Sequence, residues 1–353
     1  MSASLLTIAT IATSMPMGAE VYQNEVQRRA SSALREVDDR EWHVRRFAVR
    51  SMRSELPGNG RLPLGAVIGA SAGVRRAVGR LLYGRGTVTH RMNLELPPSP
   101  HADVITLHDV VAWRFPDESA PVPAAAEEAR RADAVVCVSE FSAQEAVDLL
   151  GVKDPIVVHN GVDARFFDAQ PLEQARLHEL GIGRRYVLHA GGAAQRKNLQ
   201  GLADAWRLIS KARPDLQLVL AGPPHARRSE LFERLPGTRL VGRVPDDVIP
   251  GLVASAAAVV VPSLYEGFGL PVLEAMAAGT PVVAAATSSL PEVAGDAGIL
   301  VEPTPVAIAD GVIAATGDDP AIEALVQLGR QRAAQFTWER SARDHARVWA
   351  SLV

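Results

Sequence analysis

The sequence has little cysteine, little lysine and no excess of charge of either sign. Of 353 residues, one is cysteine, Cys137. That count excludes an intrachain disulfide and a cysteine-based zinc site, and it leads us to expect a reducing, cytoplasmic setting. Lysine occurs three times, as Lys153, Lys197 and Lys211. The remaining basic residues are arginine, which together with abundant alanine reads as genome composition and carries no functional information. The net charge is −3, so a whole-chain basic footprint for nucleic acid is missing. Long apolar runs are missing too. Residues 254–262 are too few to span a bilayer, and Glu274 and Pro281 interrupt residues 270–286. Residues 1–12 are apolar without a basic lead-in, which makes a poor signal peptide. The chain has no Asp-x-Asp triplet, no internal repeat and no low-complexity tract.

What is present is ordinary globular material, 47% hydrophobic and 22% charged. At roughly 150 residues per domain the length suggests two domains. Short apolar runs alternate with longer amphipathic ones. Eleven runs read as strands: residues 5–12, 44–49, 104–107, 134–138, 156–159, 186–189, 217–221, 239–241, 257–261, 281–285 and 299–301. Uninterrupted apolar strands separated by helices indicate parallel sheets covered on both faces. Eleven is many for one open sheet, so two doubly wound α/β domains are expected, with a boundary within residues 162–184. Residues 321–353 read as two helices meeting near Phe336 and Trp338.

One charge feature breaks the neutrality. Residues 42–92 hold ten arginines against Glu55 alone, a net of +9. Within them Arg75, Arg76 and Arg80 interleave with Val78, Leu81 and Leu82, a basic amphipathic pattern. It reads either as a solvated face or as contact with anionic lipid or a phosphorylated acceptor.

The chemistry concentrates at residues 261–277, VPSLYEGFGLPVLEAMA. A buried strand ends at Pro262, a Glu266-Gly-Phe-Gly269 loop follows, and a helix begins with Pro271 in its first turn, where proline is tolerated. Gly267 and Gly269 let a ligand approach the backbone closely. Their N–H groups and the helix dipole suit a pyrophosphate or sugar hydroxyls. Glu266 stands at the carboxyl end of a strand, where open α/β sheets bind ligands. Glu274 lies one turn into the helix, and its carboxylate can accept both hydrogen bonds of a vicinal diol.

Two other patterns point elsewhere. Gly69-Ala-Ser71-Ala-Gly73 matches the nucleophile elbow of serine hydrolases, with residues 64–68 as its strand and 74–82 as its helix. A Rossmann dehydrogenase is not supported, because no Gly-x-Gly-x-x-Gly follows the first strand and Gly267-x-Gly269 has Val272 at the third position.

Several segments together resemble glycosyltransferase family 4, the retaining nucleotide-sugar transferases of the GT-B fold. They are the 261–277 string with Gly279-Thr-Pro-Val-Val283 after it, Ala190-Gly-Gly-Ala-Ala-Gln-Arg-Lys-Asn198, and Leu240-Val-Gly-Arg-Val244. Further along the resemblance lie Val158-His-Asn-Gly-Val-Asp163, Thr106-Leu-His-Asp109, Met17-Gly-Ala-Glu20 and Phe336-Thr-Trp-Glu339. Nearly the whole chain is covered.

The resemblance implies an N-terminal acceptor-binding Rossmann-like domain (1–165) and a C-terminal nucleotide-sugar-binding one (166–335) facing it across a cleft. Residues 336–353 would form a helix returning to the first domain. It implies that Glu266 holds donor-sugar hydroxyls, that Gly267, Phe268, Gly269 and Leu270 present the loop backbone, and that Glu274 binds the ribose. Val244 would line the base side, and Arg196 and Lys197 would neutralise the diphosphate without metal or other cofactor. Positive side chains there make independent sense, since the leaving group gains charge in the transition state. His108 and Asp109 would stand at the catalytic centre, and Gly18 and Ala19 in the acceptor loop. The sequence departs from the family pattern at Gly192, where many members carry arginine, and at Met17, where many carry glycine.

The function implied is transfer of a hexosyl group, mannosyl-type favoured with GDP-mannose as donor, to a glycan, glycolipid or small-molecule hydroxyl. A peripheral place at the inner membrane face, through residues 42–92, goes with it, and no nucleic-acid partner does. The alternatives are a serine hydrolase using Ser71 and a GT-B protein that binds nucleotide sugar or glycan without transfer.

Overall fold

The computed structural model describes residues 3–13, 18–115, 118, 120–183 and 185–353. The chain divides into two compact units, Met1–Gly161 with Trp338–Val353, and Val162–Thr337. Among the described residues each unit is built on one all-parallel sheet, seven strands in the first and six in the second.

In the first unit the strands are β1 (Ser4–Ile11), β2 (Trp42–Ser51), β3 (Gly60–Leu62), β4 (Val88–Arg91), β5 (Ala102–Leu107), β6 (Ala134–Cys137) and β7 (Ile156–Val157). Their order is β3-β2-β1-β4-β5-β6-β7, so the winding direction reverses between β1 and β4. In the second unit the strands are β8 (Arg185–Ala190), β9 (Leu216–Ala221), β10 (Thr238–Gly242), β11 (Ala258–Val261), β12 (Val282–Ala285) and β13 (Ile299–Val301). The order β10-β9-β8-β11-β12-β13 reverses between β8 and β11. Apolar runs such as Ala258–Val261 are buried along their whole length because helices cover both sheet faces. Trp206, on the Leu199–Ala212 helix, is fully enclosed against β8, β9 and the Pro305–Ala315 helix, and its indole N–H donates to the Pro236 carbonyl at 2.9 Å.

Strands β3 and β4 are absent from the eleven runs read in the sequence. β4 reads Val-Thr-His-Arg, which lacks apolar patterning, yet all four residues are buried. Each polar side chain there has a partner from a distant segment. Thr89 Oγ1 accepts from Ser99 Oγ at 2.9 Å, and Arg91 pairs with Asp103 at 2.8 Å and Glu128 at 3.2 Å. His90 belongs to a chain of hydrogen bonds that ties the Trp338–Ser351 helix into the first unit.

The direction of that chain follows from its ends. Trp349 has only an N–H, so it donates to His90 Nδ1 at 3.1 Å, and His90 Nε2–H must donate to Thr106 Oγ1 at 2.8 Å. Ser341 O can only accept, so His345 Nδ1–H donates to it at 2.7 Å, and Tyr22 O–H donates to His345 Nε2 at 2.7 Å. Thr106 O–H then donates to Tyr22 Oη at 2.7 Å. Both histidines are neutral in this arrangement, and burial holds His345 down to about 4.

The arginine-rich segment is not one continuous surface. Arg75 and Arg91 are fully enclosed and share Glu128, at 2.6 and 3.2 Å. Arg45 donates to Thr7 Oγ1 and the Tyr83 carbonyl. Arg46, Arg53, Arg61, Arg76, Arg80 and Arg85 remain exposed, with Val74, Leu81 and Met52 exposed beside them. The expectation of a hydrolase elbow at Ser71 fails on its context. Residues 64–68 form a helix, Leu64–Ile68, where the elbow needs a strand, and Ser71 is an exposed residue at the start of the Ala72–Tyr83 helix.

Candidate active site

In the second unit the carboxyl ends of β8 and β11 stand side by side at the point where strand order reverses, which is where open α/β sheets bind ligands. The segment after β8 runs through Gly191 and Gly192 into a short turn, Gln195–Lys197, and then Asn198. Asn198 has φ 52°, in the left-handed region that asparagine tolerates, and caps the Leu199–Ala212 helix by accepting from Gly201 N. Its amide donates to the carbonyls of Pro262 at 3.0 Å and Pro303 at 3.1 Å. One side chain therefore pins the post-β8 turn against the post-β11 loop.

That pinning brings Arg196, Lys197 and Glu266 together. Lys197 Nζ lies 2.6 Å from Glu266 Oε1, and Arg196 Nη1 lies 3.1 Å from Glu266 Oε2 and from the Tyr265 carbonyl. Ser263 Oγ donates to the same Oε1 at 2.7 Å. Burial alone would push the Glu266 carboxyl up, but Lys197 and Arg196 hold it below its ordinary value. Ser288 Oγ accepts from Glu266 N, and Ser289 Oγ donates to the Glu266 and Phe268 carbonyls. The loop is thus hydrogen-bonded from both sides. Gly269 has φ 105°, and a Cβ there would lie 2.7 Å from Leu290 Cδ2, so glycine is required at the turn into the Leu270–Ala277 helix. Gly267, Phe268 and Leu270 complete that turn.

Glu274 is one helical turn further on. Burial, and to a lesser extent Asp163, push its carboxyl up to about 7, against the pull of Arg165. Val244 is buried two residues beyond β10.

The remaining residues singled out in the sequence belong to the first unit. His108 follows β5, and its ring sits edge-on to Tyr22 with centroids 4.7 Å apart. Burial depresses it to about 4, so it is a neutral imidazole. Its Nε2 is enclosed and has no hydrogen-bond partner among the described residues. Asp109 accepts from Val111 N at 3.1 Å, and Ser142 Oγ donates to the His108 carbonyl at 3.2 Å. Gly18 and Ala19 open the Gly18–Val37 helix. Met17, before them, lies outside the described residues.

Sequence reasoning passed over Asn198, Ser263, Ser288, Ser289 and Tyr22. Asn198 and Ser263 lie inside motifs that were read, but short polar side chains carry no signal of their partners. Among the described residues, no group of three or more His, Cys, Asp or Glu could hold a metal ion.

Comparison with known proteins gives the following. The family described as Glycosyl transferases group 1 matches residues 184–318, and the one described as Glycosyltransferase Family 4 matches residues 100–166. The chain is 32% identical over 284 residues to the O-antigen chain mannosyltransferase B of Escherichia coli, a match covering 75% of this chain and 74% of that one. It is 33% identical over 215 residues to the GDP-mannose-dependent alpha-(1-6)-phosphatidylinositol dimannoside mannosyltransferase of Mycobacterium tuberculosis, covering 60% of this chain and 55% of that one. Among solved structures, sucrose-phosphate synthase from Thermosynechococcus elongatus superposes with a TM-score of 0.77 at 20% identity, covering 99% of each chain. At that identity the likeness is one of fold.

Proposed function

The chain belongs to glycosyltransferase family 4 and has the GT-B fold, and from that premise we propose that it moves a mannosyl group from GDP-mannose to an acceptor hydroxyl with retention of anomeric configuration. It is a glycosyltransferase. The observation that carries the finer reading is the meeting of Arg196, Lys197 and Glu266 at the β8 and β11 ends. In this reading the bond from the anomeric carbon to the phosphate oxygen breaks, and the diphosphate leaves with the electron pair. The acceptor oxygen bonds to the carbon on the same face and passes its proton to the departing phosphate. Arg196 and Lys197 stabilise the growing negative charge and take the place of a bridging metal. Glu266 orients the sugar hydroxyls, the backbone of Gly267, Phe268, Gly269 and Leu270 borders them, and Glu274 accepts from the ribose diol. Val244 contacts the base. His108 and Asp109 act at the reacting centre, and Gly18 and Ala19 border the acceptor.

The mannosyl choice is supported by the names of the relatives, one of which is GDP-mannose-dependent. The acceptor is a glycan or glycolipid in this reading, with peripheral contact to anionic membrane through the exposed Arg76 and Arg80. Among the described residues, no helix is long and apolar enough to cross a membrane. Co-sedimentation with anionic vesicles, lost in Arg76→Glu/Arg80→Glu, checks that contact, and a wild type that stays in the supernatant removes it.

Calorimetric titration of GDP, UDP, dTDP and ADP, with chelator present, tests the donor site. GDP is expected to bind selectively. Selective binding of another nucleotide replaces the donor base, and binding of none overturns the site built on Arg196, Lys197 and Glu274.

A further inference from the structure

Beneath the Gly191–Gly192 turn lies a buried arginine that nothing in the sequence singled out. Arg228, on the Ala226–Phe232 helix, is 2% exposed. Its Nη2 donates to the carbonyls of Gly191 and, at 3.1 Å, Gly192, and its Nη1 donates to the Pro223 carbonyl at 2.8 Å. Its Nε is enclosed and has no partner among the described residues. No carboxylate pairs with it among the described residues, and burial alone acts on it, pushing the guanidinium down. Space for it is provided by Gly222, where a Cβ would lie 2.2 Å from Gly191 O and 2.9 Å from the guanidinium.

The groups around it do not supply the missing charge. His189, at the end of β8, donates from Nδ1 to the Val260 carbonyl at 3.2 Å, and its enclosed Nε2 has no partner among the described residues. Burial first, then Arg228 and Lys197, depress that imidazole to about 4, so it is neutral. Glu266 is already taken by Arg196 and Lys197. A buried charge without a partner is costly, and native proteins retain one where something else supplies the counter-charge. In the same turn, the N–H groups of Gly192, Ala193 and Ala194 have no backbone acceptor among the described residues.

We infer that Arg228 is a positioning residue for the donor diphosphate. It holds the Gly191 and Gly192 carbonyls toward itself, leaves the neighbouring N–H groups free for an anion, and places an uncompensated positive charge behind them that the bound diphosphate neutralises. The inference rests on the donor-site reading proposed above.

The test is calorimetry of GDP and guanosine, with UDP and uridine in parallel, on wild type, Arg228→Gln and Arg228→Lys. Glutamine keeps a donor for the carbonyls but removes the charge, whereas lysine keeps the charge. We expect Arg228→Gln to weaken GDP about tenfold while guanosine changes by less than about twofold. Arg228→Lys should keep GDP within about threefold of wild type. Unchanged GDP affinity in Arg228→Gln overturns the inference, and so does an equal loss for GDP and guanosine, which marks a structural role. If Arg228→Gln shows no cooperative melt, the lysine variant decides. A folded Arg228→Lys that loses the preference for GDP over guanosine also overturns the inference. A wild type that binds none of the four probes overturns the donor-site reading itself, which distinguishes the two failures.

Discussion

Glu266 plays two parts that a single substitution separates. In the structure it is the counter-ion of both cations, with Lys197 Nζ at 2.6 Å and Arg196 Nη1 at 3.1 Å. In the proposed reaction those cations belong to the diphosphate, and Glu266 turns to the sugar. Glu266→Gln keeps the shape and the hydrogen-bonding oxygen but removes the charge that competes with the phosphate. At about 3 Å and an effective dielectric near 20, each contact amounts to ~5 kcal/mol before desolvation. The side chains are 16%, 14% and 9% exposed, so solvent screens the contacts little. The diphosphate replaces one pairing by another, so only a fraction of that energy appears in binding. We expect a gain of ~1–2 kcal/mol, or about 5- to 30-fold tighter GDP. Transfer should fall by about 10²–10³ because the sugar loses its oriented acceptor group. Calorimetry of GDP and a mannosyl-transfer assay on the same preparation read the two effects. Weaker GDP binding in the glutamine variant, or transfer at the wild-type rate, refutes the reasoning.

Other outcomes follow from the same geometry. Lys197→Met should weaken GDP about tenfold and leave guanosine unaffected, by calorimetry; equal affinity for GDP removes the phosphate contact. The Glu274 carboxyl, pushed up to about 7, is half protonated near neutrality and accepts from a diol best when ionised. Nucleotide affinity should therefore rise with pH through about 7, and a Glu274→Gln variant should lose that dependence. Tyr22→Phe removes one link from a satisfied chain, taking from the Thr106 hydroxyl its acceptor and from His345 Nε2 its donor, which should cost about 1–3 kcal/mol in denaturant unfolding. His345 and His189 are both depressed to about 4, so the unfolded chain binds more protons than the native one between pH 6.5 and 4. Stability should be complete above pH 6.5 and fall on acidification by ~1.4 kcal/mol per pH unit for each of them. A flat urea midpoint from pH 7 to 5 contradicts this.

The sequence was most informative where the chemistry is contiguous. The strand, loop and helix of residues 261–277 place Glu266, the loop glycines and Glu274 in one local unit, so their spacing was enough to locate a site. The two-domain α/β fold was equally legible, because strands buried on both faces are apolar throughout. Partners distant in sequence were not legible. β4 was missed because Thr89, His90 and Arg91 look like an exposed segment until Ser99, Thr106, Trp349 and Asp103 arrive from elsewhere. Arg75 was read as part of a basic surface for the same reason, its partner Glu128 being 53 residues away.

Arg75, Arg91 and Arg228 also show how one residue type separates structural from ligand-directed charge. Arg75 and Arg91 are enclosed in the first unit, and both carry carboxylate partners, Glu128 for each and Asp103 for Arg91. Their charge is neutralised within the fold, and the cluster is a closed electrostatic unit with no demand on a ligand. Arg228 is also buried, in the second unit, but its partners among the described residues are carbonyl oxygens. Carbonyls accept from its Nη1 and Nη2 without cancelling its charge, so a net positive potential persists at the loop above it. Arg196 and Lys197, a few residues along the same segment, both pair with Glu266. Arg228 therefore adds a positive charge beside the Arg196, Lys197 and Glu266 cluster at this end of the β8–β11 junction, and in the proposed reading a nucleoside diphosphate brings its counter-charge.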